Sequence, residues 1–268
     1  TTGDKHARDT ALRAADLLVA RYHPAAQIIQ AWGDLQDPQQ QGRMIIDCMM
    51  NLPLLYWATE QSGDPEYAQL AGRHAVHASR YLIRPDRSTF HTFYMDVGTG
   101  EPVRGSTHQG YSDTSCWARG QAWAIYGFAL SYSYTGNTRF LHDAVESAHY
   151  FLSHLPEDRI CYWDLSLTAT DTARDSSAAA IAVCGLLEIV RHLSVLDTDS
   201  AYFTREALLI MDALCQHYYQ GDLPHNGFLT HAVYNMNKAR GVDEYCLWGD
   251  YFFLEGISRL IDPLNKYW

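Results

Sequence analysis

The sequence is short of positive charge. Its 20 lysines and arginines stand against 31 aspartates and glutamates, a formal net charge of −11 with a pI near 5.5. Nucleic acid and anionic membrane surfaces are excluded as partners on this ground, since both need a net basic face. No apolar run reaches the roughly 18 residues needed to cross a bilayer, and no signal peptide is visible. The six cysteines, Cys48, Cys116, Cys161, Cys184, Cys215 and Cys246, are far apart with no C-x-x-C pair. They read as reduced core residues of a cytoplasmic protein, not as a disulfide frame or a zinc site. The 13 histidines lack H-E-x-x-H spacing, so neither a metal nor another cofactor is expected. G-x-S-x-G, P-loop and dinucleotide fingerprints are absent, and strand-like alternation is nearly so.

What the chain has is apolar and aromatic bulk: 47% hydrophobic and 13% aromatic residues in a length of 268. That is enough for a large core in one domain spanning 1–268. Apolar residues recur at helical spacing in about eight segments, near 7–22, 43–60, 66–83, 115–134, 138–154, 176–193, 200–218 and 247–261. A turn-and-restart signal separates several of them: Thr2-Gly3-Asp4, Ser62-Gly63-Asp64-Pro65, Thr135-Gly136-Asn137 and Asp197-Thr198-Asp199. In the first three, Gly can close one helix and Asp or Asn can cap the next. Such repeated helical hairpins, with inner helices lining a cavity, predict an all-α fold of α/α toroid type. The loops at 84–111 and 156–175 are long and rich in aromatic and polar residues, as functional loops are.

The stretch Ser112-Asp113-Thr114-Ser115-Cys116-Trp117-Ala118-Arg119-Gly120-Gln121-Ala122-Trp123 puts a cation, an amide and two indoles on the first turns of one predicted helix. Ser112 to Ser115 offer cap oxygens, and an anion is favoured at a helix start. Arg119 and Trp123, four apart, share a face. An arginine fork can grip a carboxylate while an indole covers a pyranose. The alternative is a salt-bridged scaffold arginine among core tryptophans.

Asp47 is a lone carboxylate in the apolar run Met44 to Trp57. Desolvation there raises its pKa, as an acid that donates a proton near neutral pH requires. Alternatively it caps a helix or pairs with Arg43 one turn earlier. Pro53 kinks or restarts the helix and holds Asp47 near an end. Trp32, in a loop ahead of this segment, can form a sugar platform or simply pack. His91 and His108-Gln109 lie in the long loop leading to Trp117. Asp175 reads as the cap of the Ser176 helix, and the aromatics of Trp248-Gly249-Asp250-Tyr251 as packing groups.

Taken in order, Asp47 to Trp57, His108-Gln109-Gly110-Tyr111, Trp117 to Trp123, Arg174 to Ala180 and Trp248 to Tyr251 resemble the unsaturated glucuronyl hydrolases of glycoside hydrolase family 88, across nearly the whole chain. The resemblance implies an (α/α)6 barrel. It implies an enzyme that removes the 4,5-unsaturated uronic acid left by a lyase on glycosaminoglycan-type oligosaccharides, by hydrating the vinyl ether. It implies further that Asp47 protonates carbon 4, that His91, Gln109, Arg119 and Trp123 contact the unsaturated sugar, with Arg119 for charge and Trp123 for stacking, and that Trp32 serves the aglycone side. The family's upstream Asp-Leu-Gly-Phe segment does not occur here, and about eight of twelve helices are visible. The expectation is therefore an incomplete toroid lacking its N-terminal part, weakly active by itself unless another carboxylate such as Asp113 substitutes, and prone to homo-oligomerise through the open barrel edge. Two alternatives remain. One is an unsaturated rhamnogalacturonyl hydrolase of pectin breakdown, which typically reads Arg-Gly-Asn-Gly-Trp where this chain has Arg119-Gly120-Gln121-Ala122-Trp123. The other is an inactive sugar-binding remnant. The loop Asn235 to Arg240, with Lys238 and Arg240, lies where the family tunes tolerance of sulfate.

Overall fold

A computed structural model describes residues 3–168, 172–221, 226–263 and 268. Eight α-helices account for about half of it: α1 Lys5–Val19, α2 Leu52–Ser62, α3 Glu66–Tyr81, α4 Ala118–Thr135, α5 Thr138–Ser153, α6 Ser176–Val190, α7 Thr198–His217 and α8 Leu247–Ile261. The turn signals act as the spacing predicts. Gly63 and Gly136 close α2 and α4 in the left-handed conformation, and Asp4, Asn137 and Asp197 accept backbone N–H bonds at the starts of α1, α5 and α7. Thr2 and part of the 156–175 loop lie outside the described residues.

The helices form two rows. The inner row, α2, α4, α6 and α8, packs neighbour on neighbour, and α3, α5 and α7 back it. Composition explains the division. Every side chain from Ala118 to Ser131 in α4 and from Ser176 to Leu186 in α6 is buried, because these helices are apolar all round and contact neighbours on every side. Helices α3 and α5 keep one polar face. On α8 the side chains Leu247, Tyr251, Leu254 and Ile261 remain exposed, a ridge at helical spacing along one flank.

The expected helix near 43–60 is three elements instead. Arg43–Ile45 is a strand, Ile46–Met50 a 3₁₀ helix, and α2 begins only at Leu52. Pro53 sets this restart. It has no N–H to bond back into a preceding turn and disfavours helical backbone at Leu52, so it is tolerated only in the first turn of a new helix. The expectation of almost no strand also needs correction, since short antiparallel strands occupy the loops. They are β1 Tyr22–His23, β2 Ile28–Ile29, β3 Arg43–Ile45, β4 Thr92–Met95, β5 Pro102–Ser106, β6 Ala232–Asn235 and β7 Arg240–Glu244. They pair as β1-β2, β3-β4-β5 and β6-β7. Segments of two to five residues are too short for alternation to register in a sequence.

Two glycines of α4 seat the 3₁₀ helix. A Cβ at Gly127 would meet Met49 Cβ at 2.4 Å, and one at Gly120 would meet Ile46 Cγ2 at 3.3 Å and the Trp117 ring at 2.9 Å. Seven apart, they clear one face of α4. Asp47 sits on the segment that fits into that space.

Candidate active site

The starts of three inner helices meet at one end of the molecule. Arg119, in the first turn of α4, donates from Nη1 to Asp175 Oδ2 at 2.9 Å, at the head of α6. The same guanidinium lies 5.6 Å from the ring of Trp248, in the first turn of α8. The 3₁₀ helix bearing Asp47 packs on α4 beside them. Positive helix ends thus converge at this point, an arrangement that favours negative charge.

Asp47 is 30% exposed at its side chain, yet its Oδ2 is buried with no hydrogen-bond partner. Desolvation pushes its carboxyl from 3.8 up to about 6, and the Arg119 charge, its own backbone N–H and the Trp123 indole only partly oppose this. The imidazole nearest Asp47 is His91, with Nε2 3.7 Å from Oδ2. The alternative pairing with Arg43 is not realised. Arg43 instead bonds the Tyr94 hydroxyl at 3.2 Å and stacks on Trp32 at 4.7 Å.

The tautomer of His91 follows from its surroundings. Its Nδ1 accepts the backbone N–H groups of His108 at 3.1 Å and Gln109 at 3.3 Å. The ring proton therefore sits on Nε2, facing Asp47. Burial, with the charges of His108 and Arg119, drives the imidazole pKa down to about 3. At neutral pH His91 is an uncharged donor.

All six residues singled out from the sequence fall in one connected cluster. Trp32, 37% exposed, stands edge-on to His108 with centroids 4.9 Å apart and tilts toward His91 at 6.4 Å. Gln109 donates from Nε2 to the Tyr234 carbonyl at 2.6 Å, tying the His91 loop to β6.

Two roles change. The guanidinium of Arg119, 1% exposed, is occupied by the protein. Nη1 donates to Asp175, Ser177 Oγ and the Val233 carbonyl, and Nη2 to the Tyr234 carbonyl. The scaffold alternative describes it better than a free carboxylate fork does. Trp123 is buried and packs edge to face on Phe252 at 5.4 Å, so its ring is not an open platform. Its buried Nε1–H acts on the Asp47 carboxyl instead, favouring the ionised form.

Other expectations shift locally. Ser112 to Ser115 do not cap α4, whose first residue follows a Trp117 without any side-chain cap bond. Instead Ser115 Oγ donates to the buried Asp164 at 2.6 Å, and Cys116 N–H to the same carboxylate at 3.3 Å. Asp113 holds the Ser106–Thr107 turn through Oδ1. Of the cysteines, Cys215 is exposed and the others are buried. Sequence reasoning missed three things. Asp175 reaches across to Arg119; the β6 carbonyls receive the Arg119 fork; and Trp248 Nε1–H is buried without a partner. The first two leave no mark in the spacing because they join residues more than 50 positions apart, and the third depends on what the fold packs around the indole. Among the described residues, no group of three His, Cys, Asp or Glu side chains is arranged to hold a metal ion, and no helix is long and apolar enough to cross a membrane. A separate cleft of about 550 Å³, lined by Thr172, Arg174, His217, Tyr218, His231 and Asp243, contains none of the six.

The chain is similar to known proteins along its length. The family model Glycosyl Hydrolase Family 88 matches residues 1–251. The chain is 42% identical over 268 residues to an unsaturated chondroitin disaccharide hydrolase of Streptococcus pneumoniae, covering 99% of this chain and 67% of that protein. A solved unsaturated glucuronyl hydrolase of Bacillus sp. GL1, described as responsible for the degradation of glycosaminoglycan, superposes with a TM-score of 0.97 at 46% identity, covering 100% of this chain and 71% of that one. A Streptococcus agalactiae unsaturated glucuronyl hydrolase with one aspartate changed to asparagine, complexed with dGlcA-GalNAc6S, superposes at 0.85 with 38% identity, over 100% of this chain and 66% of that one. Over the span shared with these proteins the fold is an (α/α)6 barrel represented by eight helices, and the chain belongs to glycoside hydrolase family 88.

Proposed function

We propose that residues 1–268 form a catalytic domain that hydrolyses lyase-generated, glycosaminoglycan-type oligosaccharides, releasing the 4,5-unsaturated uronic acid from the non-reducing end. The observation that carries this reading is the state of Asp47: a carboxyl held protonated to about pH 6, with the neutral Nε2–H of His91 at 3.7 Å. Such a group suits proton donation to carbon more than attack on an anomeric centre.

Asp47 gives its proton to carbon 4 of the vinyl ether, leaving positive charge at carbon 5. Water adds at carbon 5 and returns a proton to the Asp47 carboxylate. The resulting hemiketal rearranges and releases the aglycone. While Asp47 is ionised, the Arg119 charge and the Trp123 N–H favour the anion. Trp248 offers a buried N–H group without a partner, the kind of donor a sugar hydroxyl or uronate oxygen needs. Trp32 bears on the aglycone. Lys238 and Arg240, both exposed near the β6–β7 turn, suit a sulfated one, and the S. agalactiae relative holds a ligand written dGlcA-GalNAc6S. The buried thiols suit a reducing, cytoplasmic setting. The exposed ridge of α8 is a face through which copies can associate, which light scattering tests directly.

The experiment is to mix the protein with a lyase-generated unsaturated chondroitin disaccharide and follow loss of the conjugated double bond in the ultraviolet. Loss of absorbance that is abolished in Asp47→Asn supports the reading. Binding without loss of absorbance would identify a sugar-binding remnant, and turnover restricted to unsaturated rhamnogalacturonyl substrates would favour the pectin alternative.

A further inference from the structure

Asp175 does more than a helix cap requires. Its Oδ1 accepts Ser177 N–H at 3.2 Å, Ala178 N–H at 3.4 Å, Val233 N–H at 3.4 Å and the Ser177 hydroxyl at 2.5 Å. That one oxygen completes the cap of α6, and an asparagine would serve equally. The other oxygen, Oδ2, is directed at Arg119 Nη1, 2.9 Å away. The two side chains are 0% and 1% exposed, so solvent does not screen the charge of either.

We propose that Asp175, which is fully buried, is a positioning residue for the hydration step: by offsetting part of the Arg119 charge and pinning the guanidinium against β6, it helps Asp47 keep the proton it must donate. The proposal rests on the reading of Asp47 as the acid. The charged and titratable groups around the two carboxylates are few. Asp47 faces Arg119 from α4, His91 from the approach to β4, and Cys48 on its own turn. Arg119 acts on Asp47, on His91 and on Cys246 at the head of α8. His91 is also influenced by His108. Asp175 also acts on Cys161, which Arg174 and Asp158 reach as well, and Arg21 reaches Cys48; the cation that acts on Asp47 itself is Arg119.

An aspartate beside an unshielded arginine titrates about 1–3 pH units lower than it otherwise does. Left unpaired in this dry site, Arg119 would draw Asp47 toward its anion and remove the proton that carbon 4 requires. Paired with Asp175, Arg119 still lowers the Asp47 pKa, but the adjacent negative charge offsets part of that pull. The same bond fixes the direction of the fork, because Nη1 and Nη2 then reach the Val233 and Tyr234 carbonyls at 2.7 and 2.9 Å. Tyr234 O also receives Gln109 Nε2, so Asp175 indirectly anchors the loop that orients His91.

The test is to titrate the Asp47 carboxyl carbon by NMR in the intact chain, with and without Asp175→Asn. The substitution retains a cap oxygen and removes the charge. The midpoint of Asp47 should fall by about one pH unit or more, and the high-pH limb of kcat should move down with it while the low-pH plateau stays near the wild-type rate. Arg119→Gln added to Asp175→Asn should bring the midpoint back up. An unchanged Asp47 midpoint, or a kcat lowered equally at every pH, would overturn the proposal by reducing Asp175 to a structural cap. If Asp175→Asn does not fold, Asp175→Ser, an uncharged cap, takes its place with the same two outcomes. A wild-type chain that turns over no unsaturated disaccharide would refute the proposed function instead, and the titration would still decide the role of Asp175.

Discussion

Replacing Asp47 with asparagine should make the protein more stable at neutral pH while making it inactive. Burial raises the folded-state pKa of Asp47 from 3.8 to about 6. The folded protein therefore binds this proton more tightly than the unfolded chain does. Its stabilising contribution is fully present below about pH 4 and is lost as pH rises through about 6. A difference of about two pH units corresponds to about 3 kcal/mol at 1.36 kcal/mol per unit. The side chain is 30% exposed, and solvent screening reduces the figure to about 2 kcal/mol. Asparagine has nothing to ionise and so escapes the loss. Urea unfolding at about pH 5 and pH 8 separates the effects. The midpoint of Asp47→Asn relative to wild type should rise between the two pH values by an amount equivalent to about 1–2 kcal/mol, with the slope unchanged. Turnover should fall by two to four orders of magnitude at both. Equal relative stability of the two proteins at both pH values would show that Asp47 is ordinarily acidic, and the argument for its role as a proton donor would fail with it.

Three further outcomes follow from the same geometry. Arg119→Ala should cost about 3–5 kcal/mol of stability, because it strands the buried Asp175 charge; a ligand-gripping surface arginine would leave the urea midpoint almost unchanged. Gly127→Ala should cost about 1–3 kcal/mol and lower kcat, since its Cβ would stand 2.4 Å from Met49 Cβ and displace the turn carrying Asp47, whereas Gly72→Ala in α3, with open space around it, should be neutral or slightly stabilising. Trp32→Ala should raise KM for the disaccharide with little change in kcat or melting temperature, as expected for a partly exposed ring on the aglycone side, and a fall in kcat without a change in KM would move Trp32 out of that role.

The helices were legible because their signals are local. Apolar periodicity and the Gly-Asp and Gly-Asn punctuation act within one or two turns of chain, and they located all eight helices to within a few residues, apart from the late start of α2. That exception has a local cause as well, in Pro53, but the preceding strand could not be seen: Arg43–Ile45 is a strand only because Thr92–Met95, some 50 residues on, pairs with it. Asp47 was legible for a related reason. An isolated carboxylate in an apolar run carries its desolvation with it wherever the run is buried.

The direction and partners of a side chain are a different matter, and Arg119 shows why. Its sequence neighbourhood, two indoles and an amide at a helix start, is compatible with a carboxylate ligand or with a carboxylate of the protein. The choice was made by Asp175, Val233 and Tyr234, which lie 56 to 115 positions away and reach Arg119 only when the heads of α4 and α6 are brought together. The consequence bears on chemistry as well as on packing. An arginine free to meet the uronate would place a full positive charge beside the acid and weaken its hold on the proton. An arginine already paired within the protein leaves the recognition of the anion to neutral N–H groups and helix ends, which bind a carboxylate without a formal cation of their own. On the proposed reading, the pairing that the sequence concealed helps an acid with a pKa near 6 to hold its proton beside Arg119.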